Sequence, residues 1–140
     1  MNPASKDALE YARKWVRRSP GPDSWANLAA VYATMEPSDL KRARQWYRRA
    51  ARRGHHRGLF EYGLMLIQGE GGLRRPAQGR RFLERAARFG QIDALKLLAF
   101  ALSRGGYSYQ PSPTRAKHVN AALRRARARC RKETAGQTSD

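Results

Sequence analysis

Apolar residues return along this chain at helical spacing, in blocks separated by short breaks rich in glycine, proline and polar residues. In one block Leu59, Tyr62, Gly63 and Leu66 form a stripe, while Phe60, Leu64 and Ile67 form a second. A helix apolar on two sides must be covered on two sides, so this segment reads as an interior helix flanked by neighbours. The same local pattern occurs three times: Leu28-Ala29-Ala30-Val31-Tyr32, Tyr62-Gly63-Leu64-Met65-Leu66 and Leu98-Ala99-Phe100-Ala101-Leu102. Each reads large, small, variable, apolar, large. The small second residue lets two helix backbones approach, and the large residues four apart share one face.

A second kind of helix alternates with the first. Ala50-Ala51-Arg52-Arg53-Gly54 returns 36 residues later as Ala86-Ala87-Arg88-Phe89-Gly90, and Trp46 returns in the same register as Phe82. A looser copy, Ala116-Lys117-His118-Val119, follows after one extra loop residue, and Ala8-Leu9-Glu10-Tyr11 supplies a half unit at the start. Breaks at Glu36-Pro37-Ser38, at Gly69 to Gly72 with Pro76, and at Gly105 to Pro113 separate the helices. Ser38 and Ser112 are the expected N-caps. The spacing predicts helices near 4–18, 23–35, 38–53, 56–68, 76–89, 91–104 and 113–131. The expected fold is an all-α solenoid of about three antiparallel helix-pair repeats plus an N-terminal half repeat, about seven helices in all. Residues 1–132 form one domain in this reading, and 133–140 a flexible C-terminal tail. One helix pair cannot bury its apolar stripe alone, so stacking supplies the core.

The unit running from Leu28-Ala29 through Ala43, Trp46-Tyr47 and Ala50-Ala51 to Gly54 resembles the Sel-one-like repeat, a relative of the tetratricopeptide repeat. So does the unit from Tyr62-Gly63 through Gly69 and Gly71 to Ala86-Ala87 and Gly90. The likeness spans about residues 5–130. It departs from the pattern at Gly72 and Arg75, where the family loop carries Val and Asp, and at Gly79, where it carries Ala. The resemblance implies a right-handed superhelix. It further implies a scaffold or adaptor for protein complexes, or a bacterial immunity protein that blocks a toxin.

Composition sharpens the partner class. The chain's 140 residues hold 29 Lys and Arg against 11 Asp and Glu, a formal charge of +18, while 41% hydrophobic content is enough for a folded core. Such an excess seeks anions, whether an acidic protein or a nucleic acid. No apolar run reaches the length of a membrane span. The segment 1–14 has charges and no apolar centre, so no secretory signal is expected, and the cytoplasm is the expected compartment. One cysteine, Cys130, fits a reducing environment and reads as a chance residue of an arginine-rich helix.

Candidate catalytic or metal chemistry is thin. Asp7 with Glu10 reads as surface charge balance, and His55-His56 as a polar junction between helices. The run Gly69-Glu70-Gly71-Gly72 lacks the strand before it and the Lys-Ser/Thr after it that a phosphate loop needs. No enzyme, cofactor or metal is expected. The arginines fall on the second-type helices: Arg42, Arg44, Arg48, Arg49, Arg52 and Arg53, then Arg80, Arg81, Arg85 and Arg88, then Arg124 to Arg131. Repeated in register, their outward faces add into a basic strip, which is either a solvated face or a grip for an anionic partner. Arg48, Arg52, Arg81, Arg85 and Arg88 are the strip residues expected to bind. The other face, expected to be concave, carries Asn27, Ala30, Glu61, Leu64, Gln68 and Phe100. Leu64 and Phe100 are either anchors for a partner or buried between helices. Two functions follow: a non-catalytic scaffold holding an acidic protein, or an RNA or DNA binder using the strip. Trp15, Trp25 and Trp46 are expected in the core, which leaves few rings for stacking bases.

Overall fold

The computed structural model describes residues 1–137. Among these, seven α-helices follow one another: α1 (Pro3–Arg18), α2 (Pro22–Thr34), α3 (Leu40–Arg52), α4 (His56–Gln68), α5 (Pro76–Arg88), α6 (Ile92–Arg104) and α7 (Pro113–Gln137). The first six agree with the expected spans to within two residues at each end. The seventh runs on to Gln137, so residues 133–137, expected as tail, are helical. No proline interrupts them, and the Thr134 hydroxyl donates back to the Cys130 carbonyl. Residues 138–140 of that expected tail lie outside the described residues.

Each helix packs on its neighbours in the chain, and α2 also touches α4, so first-type helices lie side by side. The pairs α2–α3, α4–α5 and α6–α7 are three stacked units, with α1 as the half unit before them. Helix starts follow local chemistry. Pro3, Pro22, Pro76 and Pro113 each occupy a first position, where the missing N–H costs nothing. Side chains of Asn2, Asp39, His55, Gln91 and Ser112 cap five starts by accepting a backbone N–H. Ser112 caps as expected. Asp39 takes the role expected of Ser38, because α3 begins at Leu40 and places the Asp carboxylate against the Arg42 N–H at 3.0 Å.

The Ala-Ala-x-x-Gly ending has a physical reason. The Ala50 and Ala51 carbonyls accept from the His55 and Gly54 N–H groups, and Ala86 and Ala87 accept in the same way from Gln91 and Gly90. Gly54 (φ 76°) and Gly90 (φ 83°) stand in the left-handed region that closes each helix.

A main core cluster runs through the units, and a smaller one of Leu95, Leu123 and Ala126 lies between α6 and α7. Leu59, Leu66, Leu83 and Leu102 are fully buried, each contributing ~1.5–3 kcal/mol. Small buried residues stand at matching register in each unit: Ala29 and Ala43, Gly63 and Gly79, Ala99 and Ala116. In the middle unit a Cβ on Gly63 would stand 2.9 Å from the Gly79 carbonyl oxygen, and one on Gly79 would stand 2.6 Å from the Gly63 oxygen. Gly79 replaces the alanine of the resembled pattern because α4 and α5 meet there backbone to backbone. No helix among the described residues is long and apolar enough to cross a membrane.

Candidate functional site

Helices α3, α5 and α7 present the arginines, and the structure divides them into two groups. Some hold the fold. Arg44 donates to the carbonyls of Glu70 (3.2 Å) and Leu73 (2.8 Å) in the loop of the next unit. Arg80, at the same register one repeat later, donates to the Ser108 carbonyl (3.0 Å) and lies over the Tyr109 ring. Arg49 sits 4.6 Å above Trp25 and 5.1 Å above Trp46, Arg53 covers Trp25, and Arg42 pairs with Asp39 at 3.1 Å. The strip residues Arg48, Arg52, Arg81, Arg85 and Arg88 are exposed and make no hydrogen bond or ion pair among the described residues.

Between α3 and α5 lies a cleft of about 470 Å³, floored by Tyr62 and lined by Lys41, Arg44, Gln45, Arg48, Arg75 and Gln78. The floor is rigid: Tyr62 is buried, its ring edge-on to Phe82 at 4.9 Å. Four cations and two amides face this space, and no carboxylate does. The equivalent junction one repeat later, between α5 and α7, is built differently. There Glu84 stands at the register position of Arg48 and Arg115 at that of Gln78, joined at 3.0 Å. Tyr109 lies beside them; burial raises its phenol, and the Glu84 carboxylate adds to the effect.

The residues expected on the other face lie on the first-type helices α2, α4 and α6. Glu61 and Leu64 are half-buried on α4, Gln68 is exposed at its end, and Asn27 is half-buried on α2. Its Oδ1 is enclosed with no partner among the described residues. Burial raises the Glu61 carboxyl; Arg57 opposes the shift, while Asp93 and Glu70 add to it. Next to this group burial pushes the Tyr47 phenol up to about 12. Phe100 is 50% exposed rather than buried between helices. It shares an open cleft of about 480 Å³ with Phe60, Leu97, Asp93, Lys96 and Tyr107, and Leu64 is not among its neighbours there.

Two expectations need correction. Trp25 is buried, but Trp46 is half-buried beneath Arg49, and Trp15 is 36% exposed. Trp15 lies on α1, which packs chiefly on α2, so its outer side has no helix to cover it. His55 is more than a polar junction residue. Its Nδ1 accepts from the Gly58 N–H, which leaves the proton on Nε2, 3.0 Å from an Asp23 carboxylate oxygen. His56 stacks on Phe89 at 5.0 Å. Among the described residues no group of three or more His, Cys, Asp or Glu side chains is placed to hold a metal ion. Sequence reading missed Lys41, Gln45, Tyr62, Arg75 and Gln78. The signal was available as the exchange of Arg48 for Glu84 at the 36-residue spacing.

No family model matches the chain, and no curated protein does. Among solved structures it is similar to a Sel1 repeat protein from Oxalobacter formigenes, with a TM-score of 0.73 and 19% identity. The likeness covers 85% of this chain and 48% of the other, so the chain spans about half the length of that structure. The stacked helix pairs, the Ala-Ala-x-x-Gly junctions and this likeness together place the chain in the Sel1-like repeat fold.

Proposed function

We propose that the protein is a non-catalytic binding scaffold that holds an acidic protein partner, as an adaptor or a toxin-blocking immunity protein of the cytoplasm. One observation carries this reading: a rigid helical-repeat face displays arginines that the fold itself leaves unpaired, at Arg48, Arg52, Arg81, Arg85 and Arg88. Guanidinium groups so placed match carboxylates in fork geometry, and register along the repeat fixes their spacing. A nucleic acid is the second reading, favoured by the exposed rings of Tyr11, Trp15, Phe89 and Phe100, which are open to base stacking. None of these rings lines the basic cleft between α3 and α5, so the protein partner is the stronger reading.

Titration at physiological ionic strength separates the two. The full chain is mixed with an acidic peptide, with single-stranded RNA and with duplex DNA, each over a salt series. Peptide binding that persists while nucleic acid affinity collapses supports the scaffold. Tight nucleic acid binding with a steep logarithmic salt slope would transfer the function to RNA or DNA.

A further inference from the structure

We infer that the cleft between α3 and α5 is a carboxylate-binding site, which takes a Glu or Asp side chain of an acidic peptide segment from the partner. The inference rests on the proposed scaffold function and locates its grip. Its basis is the repeat itself, which builds the same helix junction twice in register with different charged groups. Between α5 and α7 the Glu84 carboxylate meets Arg115 at 3.0 Å, with Tyr109 beside it. In the cleft between α3 and α5, Arg48 replaces the acid and Gln78 replaces its arginine. Arg75 sits where Asp39 of the first unit pairs with Arg42 at 3.1 Å. Both flanking positions thus carry an acid of the chain's own, and the middle cleft carries none.

The consequence is electrostatic. Lys41, Arg48 and Arg75 face a common space of about 470 Å³ and have no partner among the described residues. Like charges brought together on a rigid surface repel, and an incoming anion relieves that repulsion while gaining charge-assisted hydrogen bonds. Gln45 and Gln78 add neutral donors. Tyr62, buried and braced by Phe82, gives the site a fixed floor. A carboxylate fits better than a nucleic acid for two reasons. The occupant at the equivalent place one repeat later is a carboxylate, and no exposed aromatic ring lines the cleft for a base to stack on.

The test refills the cleft from within. The double variant Arg48→Glu with Gln78→Arg copies the Glu84–Arg115 pair into the α3–α5 cleft and changes the net charge by one unit. Arg18→Gln makes the same net change on α1, away from the strip. Arg48→Gln removes the cation without adding a pair. Binding of an end-blocked hexaglutamate peptide is measured by calorimetry at physiological ionic strength, with helical circular dichroism and melting as controls for folding. The double variant is expected to weaken binding by about tenfold or more, matching the loss of a charge-assisted hydrogen bond. Arg48→Gln should also weaken it, and Arg18→Gln should change it by less than about twofold. Equal weakening by the double variant and Arg18→Gln would overturn the site in favour of diffuse charge. Wild-type affinity in the folded double variant would overturn it as well. A hexanucleotide that binds more tightly than the peptide and is lost in the same variant would overturn the carboxylate assignment. A wild-type chain that binds no acidic peptide at all would overturn the scaffold reading itself.

Discussion

The two helix junctions on either side of α5 share one plan, yet their chemistry is opposite. Between α5 and α7 the chain closes the space with its own ion pair, Glu84 to Arg115. Between α3 and α5 it leaves Arg48 facing Gln78 and Arg75, with no acid in reach. At each junction an arginine in the same register, Arg44 or Arg80, holds carbonyls of the following loop. The scaffold is therefore conserved between the junctions while the charged groups differ. That contrast separates arginines that build the solenoid from arginines that are available to a partner. A strongly basic composition does not by itself make that separation.

The largest effect is expected where α5 is seated. Gly79→Ala places a methyl against the Gly63 carbonyl and Ile67, and overpacking of this kind costs ~1–3 kcal/mol. The matching change in the third unit, Ala116→Gly, creates no clash and is expected to cost only about 1 kcal/mol through helix propensity. Thermal melts of both variants check the difference, and a neutral Gly79→Ala would break the packing half of the comparison.

Next come the loop clamps. Arg44→Ala and Arg80→Ala should each lower stability by ~1–2 kcal/mol, the scale of a lost charged hydrogen bond. Hydrogen exchange should rise in residues 70–73 for the first variant and in 106–109 for the second. A rise in the other loop, or in neither, would show that these arginines do not act across the repeat junction.

The Glu84–Arg115 pair is partly exposed, at 32% and 56%. Glu84→Gln should therefore cost no more than ~0.2–1 kcal/mol. It should also free Arg115 at the α5–α7 junction and strengthen binding of hexaglutamate. Unchanged peptide affinity would leave the α3–α5 cleft without its claimed parallel.

The smallest effect concerns Glu61, whose carboxyl is raised mainly by burial. A raised acid binds its proton more tightly in the folded chain, so its contribution to stability falls as pH rises above the unfolded value. Glu61→Gln should therefore stabilise the protein near pH 7, with the gain vanishing as pH falls through the carboxylate range. Melting curves at several pH values read it directly.

Much of the fold was legible because its signal is periodic. The 36-residue return of Ala-Ala-x-x-Gly placed six helices closely, and the large-small pattern marked the residues where helices meet. Local features were harder. Asp39 displaced Ser38 as a cap by one position, and α7 outran its expected end because Glu133 to Gln137 contain no proline. The exposure of Trp15 depends on which helices cover α1, and periodicity along the chain does not encode that. The candidate cleft was only partly legible. Arg48 was singled out, but Arg44 and Arg80 looked equivalent to it, and their carbonyl partners lie 26 to 29 residues away. Gln45 and Gln78 carry no charge, and only the backbone brings them beside Arg48 and Arg75 in one cleft.

Nitrogen-15 spectra of the arginine and glutamine side chains, recorded while hexaglutamate is added, test the cleft most directly. A carboxylate site between α3 and α5 predicts saturable shifts at Arg48, Arg75 and Gln78, with Arg17, Arg18 and Arg115 nearly still. Shifts of similar size at every exposed arginine, or shifts confined to α5 and α7, would contradict it.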